Sequence, residues 1–453
     1  MKKSFVGVLL FLFATILVSG CSNKESSLNG NSNDNGSGNS NGNEDGITYT
    51  IDTNVEGEIN FWSWDTMFED VIVEFNKVYP NVKVNLTVMD IGELHDKLQT
   101  TINSGSGAPD VSHVDNVIRY GEPGLLEDLS QPPYNAERYA GTTSDYIWER
   151  WKSLDGKRLL AVPWDITPGV FYYRPDLYEQ AGLPSDPEEL GEFLQDKDNV
   201  LTAGQTLAAN DIYMFEFRDT PAVQYGDAIG YFDKDFNYTR NDERMIELLD
   251  FVKQGSQIGW APQKSVIFDD EGVQLLKQGR VASFPAGTQF ARAIADVVPE
   301  QSGKWSVTRM PLDTYVGLSG STFVIPSQTT NKEASWAFTE WISRSEEAWK
   351  IYVEKGIQPA WGHITSLPWY QEMTNEFLGG IQAFKFYDTL TYEIPVRRFT
   401  PFDGAAWPLY IDKVNEAIDN NIDSRTILSQ IEDNTLKQLG PDIEKLKEEM
   451  ANW

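Results

Sequence analysis

Between residues 57 and 115 the chain changes its hydrophobic period four times, and this alternation narrows the available folds more than any other feature. Residues 58–62 read as a short strand. Phe68, Val71, Ile72, Phe75 and Tyr79 then recur at helical spacing, until Pro80 stops the helix. Val82, Val84, Leu86 and Val88 alternate, as on a half-buried strand. Leu94, Leu98 and Ile102 form a second helical stripe, residues 104–109 a Gly/Ser loop, and residues 110–114 a third strand. Strands alternating with helices predict an α/β fold with a parallel sheet. Ligands of such sheets lie beyond the carboxyl ends of the strands. Those ends are Trp62-Ser63-Trp64-Asp65 and His113-Val114-Asp115-Asn116.

Further along, residues 159–163 and 170–173 read as two strands around Trp164-Asp165-Ile166-Thr167-Pro168-Gly169. A second α/β region follows with weaker patterning: helices at 245–252 and 272–277, and a strand at 281–284. Residues 316–325 are strand-like, 332–344 and 346–355 helical. From Ala406 onward the pattern is of charge-rich helices, with Ser424 a candidate cap ahead of Ile427, Ile431 and Leu436. Gly105-Ser106-Gly107 is not a phosphate-binding loop, because no Lys-Ser/Thr follows and it precedes a strand.

The N-terminus has a different character. Lys2 and Lys3 precede an apolar run over residues 5–18, shorter than the roughly 20 residues a membrane-spanning helix needs and suited to a signal-peptide core. It ends in Val18-Ser19-Gly20-Cys21, and Cys21 is the sole cysteine of the chain. Disulfides within the chain, thiolate metal sites and other cysteine nucleophiles are thereby excluded. His95, His113 and His363 lie far apart in sequence, whereas a zinc site needs clustered ligands. They read as ordinary surface or core residues, and neither a metal nor a cofactor is expected. Residues 22–48 are almost all Ser, Asn, Gly and acids, a composition that cannot offset ordering entropy, and read as a disordered tether. The formal charge of −31 argues against nucleic acid or anionic lipid as the ligand.

Val18-Ser19-Gly20-Cys21 resembles the bacterial lipobox, which implies lipidation at Cys21 and anchoring on the extracytoplasmic face of the cell membrane. From Gly57 onward the chain resembles bacterial extracellular solute-binding proteins of the carbohydrate class. The resemblance is carried by residues 75–80 with the alternating strand behind them, by 98–110 ending in Ser104-Gly105-Ser106-Gly107-Ala108-Pro109-Asp110, and by 161–182, 317–326 and 356–359. It implies a two-lobed periplasmic-binding-protein-like α/β fold. Each lobe would be a mainly parallel sheet flanked by helices, with the ligand cleft between lobes. The implied domains are a signal peptide at 1–20, a lipidated tether at 21–48, one lobe from 49–164 plus 312–370, and another from 168–311 plus 371–453. The chain would cross between lobes near 164–169 and 310–316. The implied function is capture of a mono- or oligosaccharide by cleft closure and delivery to ABC permease subunits driven by a cytoplasmic ATPase. Such a protein would be a monomer and not an enzyme.

Sugar capture asks for flat aromatic faces against the C–H faces of the ring and for carboxylates or amides that bond hydroxyls. Trp64 and Asp65 follow one strand end, and Asp115 and Asn116 the other. By resemblance, Asp115 matches a ligand-contacting acid of the family, Asp165 lies on the first crossing, and Trp407, in Ala405-Ala406-Trp407, matches a stacking position. The bland reading of Asp165 is a turn cap. After Phe284-Pro285-Ala286-Gly287-Thr288, relatives often carry Trp where this chain has Gln289, so an amide replaces an aromatic platform. Gly287 and Gly320 join the candidate set, and Trp361 is a substitute aromatic wall. Trp336, Trp341 and Trp349 lie within helices and read as core. Two rival functions remain: a glycoside-processing enzyme, whose two carboxylates would come from Asp65, Asp115 and Asp165, and a same-fold binder of another solute such as a polyamine.

Overall fold

A computed structural model describes residues 51–453. The expected signal peptide, Cys21 and the whole of the tether lie outside the described residues. The described residues are built on two sheets. The first has the order β2-β1-β3-β9-β4, and the second β6-β5-β7 with β8 also paired to β5. The strands are β1 (Gly57–Ser63), β2 (Val82–Val88), β3 (Val111–Val114), β4 (Ala161–Pro163), β5 (Thr167–Tyr173), β6 (Ser283–Gly287), β7 (Ser306–Thr308), β8 (Gly317–Ser319) and β9 (Thr322–Val324).

The alternation read from the first third of the chain is realised as parallel pairing of β1 with both β2 and β3. Because a strand exposes successive side chains on opposite faces, Ile59 and Phe61 of β1 point one way and Trp62 the other. Ile59 and Phe61 pack with Phe68, Val71 and Phe75 of the helix Phe68–Val78 and with Phe338 and Trp341 of the helix Lys332–Arg344. Trp62 packs with Leu94, Leu98 and Ile102 of the helix Ile91–Ser104. Each such buried side chain contributes about 1.5–3 kcal/mol relative to exposure, so two helices on one face and one on the other pin β1 between β2 and β3. The helix Ile91–Ser104 starts where Asp90 accepts hydrogen bonds from the amides of Gly92 and Glu93, and it ends at Gly105 with φ +76°.

The second sheet departs from the expected parallel pairing. β5 runs antiparallel to β6, β7 and β8. The cause is the return path. β5 ends at Tyr173 and β6 starts at Ser283, directly opposite it. The intervening helices therefore bring the chain back to the end it left, and only an antiparallel strand fits.

The strand-like run 316–325 is two strands in two sheets. β8 pairs with β5 opposite Thr167, β9 pairs with β3 and β4, and the break falls at Gly320-Ser321. The second passage between sheets thus lies a few residues beyond the expected 310–316. The first passage is Trp164-Asp165-Ile166, and Gln358-Pro359-Ala360 pairs alongside it: Ile166 N–H donates to the Gln358 carbonyl (3.1 Å) and Ala360 N–H to that of Trp164 (3.0 Å). At the C-terminus Asp423, not Ser424, caps the helix Ser424–Met450, accepting from the Thr426 amide at 2.8 Å. Ser424 instead bonds Lys253 and Asp250, which ties this helix to Glu243–Ile258.

Gly255, in the helix Glu243–Ile258, lies against the fully buried Trp260, and an added Cβ would overlap the indole ring. Alanine ordinarily gains about 1 kcal/mol over glycine in a helix; overpacking costs about 1–3 kcal/mol, and a rigid ring falls at the upper end. Gly255→Ala is therefore expected to lose stability on urea unfolding. Gly404→Ala, in the helix Asp403–Asn420 with nothing within 4 Å, should be neutral or stabilising. Equal effects at both positions would refute the packing account.

Candidate functional site

The register of the first sheet brings four segments to one edge. β1 and β3 run parallel, so Trp64-Asp65 and Asp115-Asn116 leave the sheet side by side. Val114 and Pro163 both lie opposite Thr322, which brings Gly320-Ser321 and Trp164-Asp165 to the same edge.

A fully buried histidine links them. His113 Nδ1 lies 3.2 Å from Ser63 Oγ, and Nε2 lies 2.8 Å from Ser321 Oγ. Asp165 Oδ1 accepts from both the backbone amide and the hydroxyl of Ser321, the latter at 3.0 Å. Ser63 Oγ accepts from the Asp65 amide at 3.1 Å. The directions follow from the ends. An ionised carboxylate only accepts, so the Ser321 hydroxyl donates to Asp165 and its oxygen accepts from His113 Nε2–H. Nδ1 is then left to accept from Ser63. Burial drives the His113 pKa well below its usual value, the nearby His95 lowering it further and Asp115 opposing, which keeps the ring neutral as this scheme requires. The Trp64 indole stacks on His113 with centroids 3.7 Å apart and planes 17° apart, and it remains only partly buried.

Asp115 has a separate support. Its Oδ1 lies 2.8 Å from Nε2 of the buried His95, whose Nδ1 lies 2.6 Å from the Tyr120 hydroxyl. Burial works to raise the Asp115 pKa, but the hydrogen bond from His95, with the Arg150 charge beyond, holds it below the usual carboxylate value. Its side chain is 45% exposed. Arg150, ending the helix Asp145–Arg150, donates to the carbonyls of Ser319 (3.0 Å) and Gly320 (3.1 Å), and its guanidinium lies over Phe399 and Trp151. Gly320 has φ +143°, and a Cβ there would sit 3.2 Å from both Arg150 Nη1 and the Asp165 carbonyl, so the position needs glycine.

Trp64, Asp115, Asp165 and Gly320 thus come together. Asp65 is at the same edge, but its Oδ1 accepts from the Met67 amide at 2.8 Å and shapes the turn into the helix Phe68–Val78. Asn116 is exposed beside Asp115. Gly287 ends β6 in the second sheet, and Gln289 is the N-cap residue of the helix Phe290–Val297 that follows. Gly287 pairs with Gly169 and packs against Thr167, two residues from Asp165, and its missing side chain makes room for the Gln289 amide. Gln289 Oε1 is buried and accepts no hydrogen bond among the described residues. Trp407 stands 39% exposed on the helix Asp403–Asn420, with no ring contact or hydrogen bond to the cluster among the described residues. Trp361 does not form an aromatic wall: it is 0% exposed, with the Arg344 guanidinium 4.4 Å above its ring and Tyr139 beside it, and serves the core. Trp336, Trp341 and Trp349 are core as well.

Sequence reasoning missed Ser63, His95, His113, Arg150 and Ser321. Ser63 and His113 carried a signal, since both sit in the two strand ends already singled out. The other three reach the site only through tertiary contacts.

A family profile of bacterial extracellular solute-binding proteins matches residues 70–374. The chain is 24% identical over 392 residues to the arabinooligosaccharide-binding protein of Bacillus subtilis, covering 79% of this chain and 81% of that one. Among solved structures, the sugar-binding protein MalE from the phytopathogen Xanthomonas citri matches with a TM-score of 0.71 at 17% identity, over 86% of this chain and 99% of that one. The galacto-N-biose-/lacto-N-biose I-binding protein of the ABC transporter from Bifidobacterium longum, in complex with lacto-N-biose, matches with a TM-score of 0.67 at 21% identity, over 86% and 99%. At these identities the structural likeness speaks for the two-lobed fold.

Burial raises the Asp165 pKa from 3.8 to about 6, against the opposing Ser321 hydrogen bonds and the Arg150 charge. Below pH 3.8 the group is protonated whether the chain is folded or not. Between 3.8 and about 6 only the folded state holds the proton, so stability from this group falls as pH rises through that window. Asp165→Asn, uncharged at every pH, is expected to be more thermostable than the parent at pH 7, with the difference shrinking to zero near pH 4. A difference in melting temperature independent of pH would contradict this.

Proposed function

The chain belongs to the bacterial extracellular solute-binding protein family, and on that premise we propose that it captures a sugar or short oligosaccharide and passes it to an ABC-type permease powered by a cytoplasmic ATPase. The observation that carries the reading is the pairing, at one sheet edge, of a partly exposed indole with two carboxylates. Trp64 offers an apolar face to sugar C–H groups, and Asp115 and Asp165 accept from hydroxyls. Gly287 at the end of β6, Gln289 just beyond it, and Trp407 complete the contacts when the two lobes close on the ligand. The named substrate of the Bacillus subtilis relative makes arabino-oligosaccharides the first class to test. Members of this family bind solutes, and the protein acts as a monomeric binder without catalysis. Cys21 carries a lipid that holds it at the outer face of the cell membrane.

Calorimetric titration with arabino-, malto- and galacto-oligosaccharides tests this. Saturable binding to one of these classes is expected, with no new reducing ends on incubation. Hydrogen bonds to charged groups are worth roughly 1.5–3 kcal/mol, so Asp115→Ala and Asp165→Ala should each weaken binding by about one to two decades. Binding of spermidine with no response to any sugar would overturn the reading. Separately, Cys21→Ala should move the protein from the membrane fraction to the soluble one; a variant that stays with the membrane would exclude lipid as the anchor.

A further inference from the structure

We propose that His95 and Tyr120 are positioning residues that aim Asp115 at a single ligand hydroxyl, so that the site demands a free hydroxyl at that position. This rests on the reading of Asp115 as a sugar contact. Both residues are buried, His95 at 4% and Tyr120 at 0% exposure, while the Asp115 side chain at 45% reaches solvent. The chain of bonds has one consistent direction. Asp115 Oδ1 only accepts, so the neutral His95 ring turns its N–H toward it and leaves Nδ1 to accept from the Tyr120 hydroxyl at 2.6 Å, whose one weaker alternative is the His95 carbonyl at 3.5 Å. That fixes the tautomer with hydrogen on Nε2, which faces Asp115 Oδ1 at 2.8 Å. The two rings lie nearly parallel, 9° apart, so the imidazole has little freedom to turn away. No other side chain among the described residues bonds the carboxylate. With Oδ1 engaged, Oδ2 is the oxygen left for the ligand, and a charged acceptor takes only a donor. A methyl ether or a deoxy carbon at that position leaves a desolvated carboxylate oxygen unpaired, and the site rejects it.

The test is titration of the full chain with arabinotriose, maltotriose and lacto-N-biose, continued with the tightest of the three. The Nε2 of a glutamine occupies the place of the imidazole Nε2, whereas an asparagine amide reaches only the Nδ1 place. His95→Gln is therefore expected to bind within about threefold of the parent and His95→Asn to lose about tenfold or more. Tyr120→Phe should lose about threefold by freeing the tautomer. His95→Asn added to Asp115→Asn should cost nothing further, since the two act through one bond. Melting curves identify variants that do not fold; if His95→Asn is among them, Tyr120→Phe and the Gln variant decide. Equal losses for His95→Gln and His95→Asn, or a full further loss in the double variant, reduce His95 to a packing role and overturn the proposal. Parent-like binding by Asp115→Asn removes Asp115 from the site, and a parent that binds none of the three sugars removes the functional reading itself.

Discussion

The placement of His113 between Ser63 and Ser321 is the contact on which the arrangement depends. One neutral imidazole joins the end of β1, the end of β3 and the start of β9, and it supplies the surface on which Trp64 lies flat. Removing one partner of a buried polar pair leaves the other unsatisfied at a cost of about 1–3 kcal/mol. Here that penalty would fall on a histidine with no access to water. The serines are therefore part of the aromatic platform, although neither touches the indole face.

The connection between the two sheets is narrow. Trp164-Asp165-Ile166 crosses once, Gly320-Ser321 crosses beside it, and Gln358-Pro359-Ala360 runs alongside, paired through backbone bonds. Asp165 ties the first two crossings together through Ser321, and Arg150 holds the carbonyls of Ser319 and Gly320 from the other side. The polar groups that would meet a ligand are thus also the groups that brace the crossing. A burial-raised pKa at Asp165 follows from that double duty, because a carboxyl placed where two strands leave a sheet has little water around it.

Much of the first sheet was legible because its signals are local. A period of two and a period of 3.6 alternate cleanly up to Val114, and the strand ends that they mark are where Trp64 and Asp115 stand. What escaped notice depends on pairing across long separations. The run 316–325 looks like one strand because nothing in its residues says that Ser319 pairs with Thr167 while Thr322 pairs with Val114. Trp361 resembles a loop aromatic, yet Arg344 and Tyr139 enclose it. Ser424 and Asp423 are both good caps by type, and Ser424 is taken instead by Lys253 and Asp250 from a helix far earlier in the chain. The second sheet was expected to be mainly parallel on the family resemblance, but neither the resemblance nor the weaker patterning there says at which end a connection returns.

The half of the site on the first sheet is assembled before anything binds. Trp64 is already stacked, Asp115 already held and Asp165 already bonded, and in the proposed mode of capture the residues of the second sheet are added as the lobes close. In kinetic terms, a sugar first meets a surface whose groups need no rearrangement, and little ordering entropy remains to be lost there. Encounter should then differ little from one sugar to another, and discrimination should appear in how long each stays. Substitutions around Gly287 and Gln289 would act on residence time, and a change of preferred sugar could arise there without disturbing the histidine-braced edge that receives it.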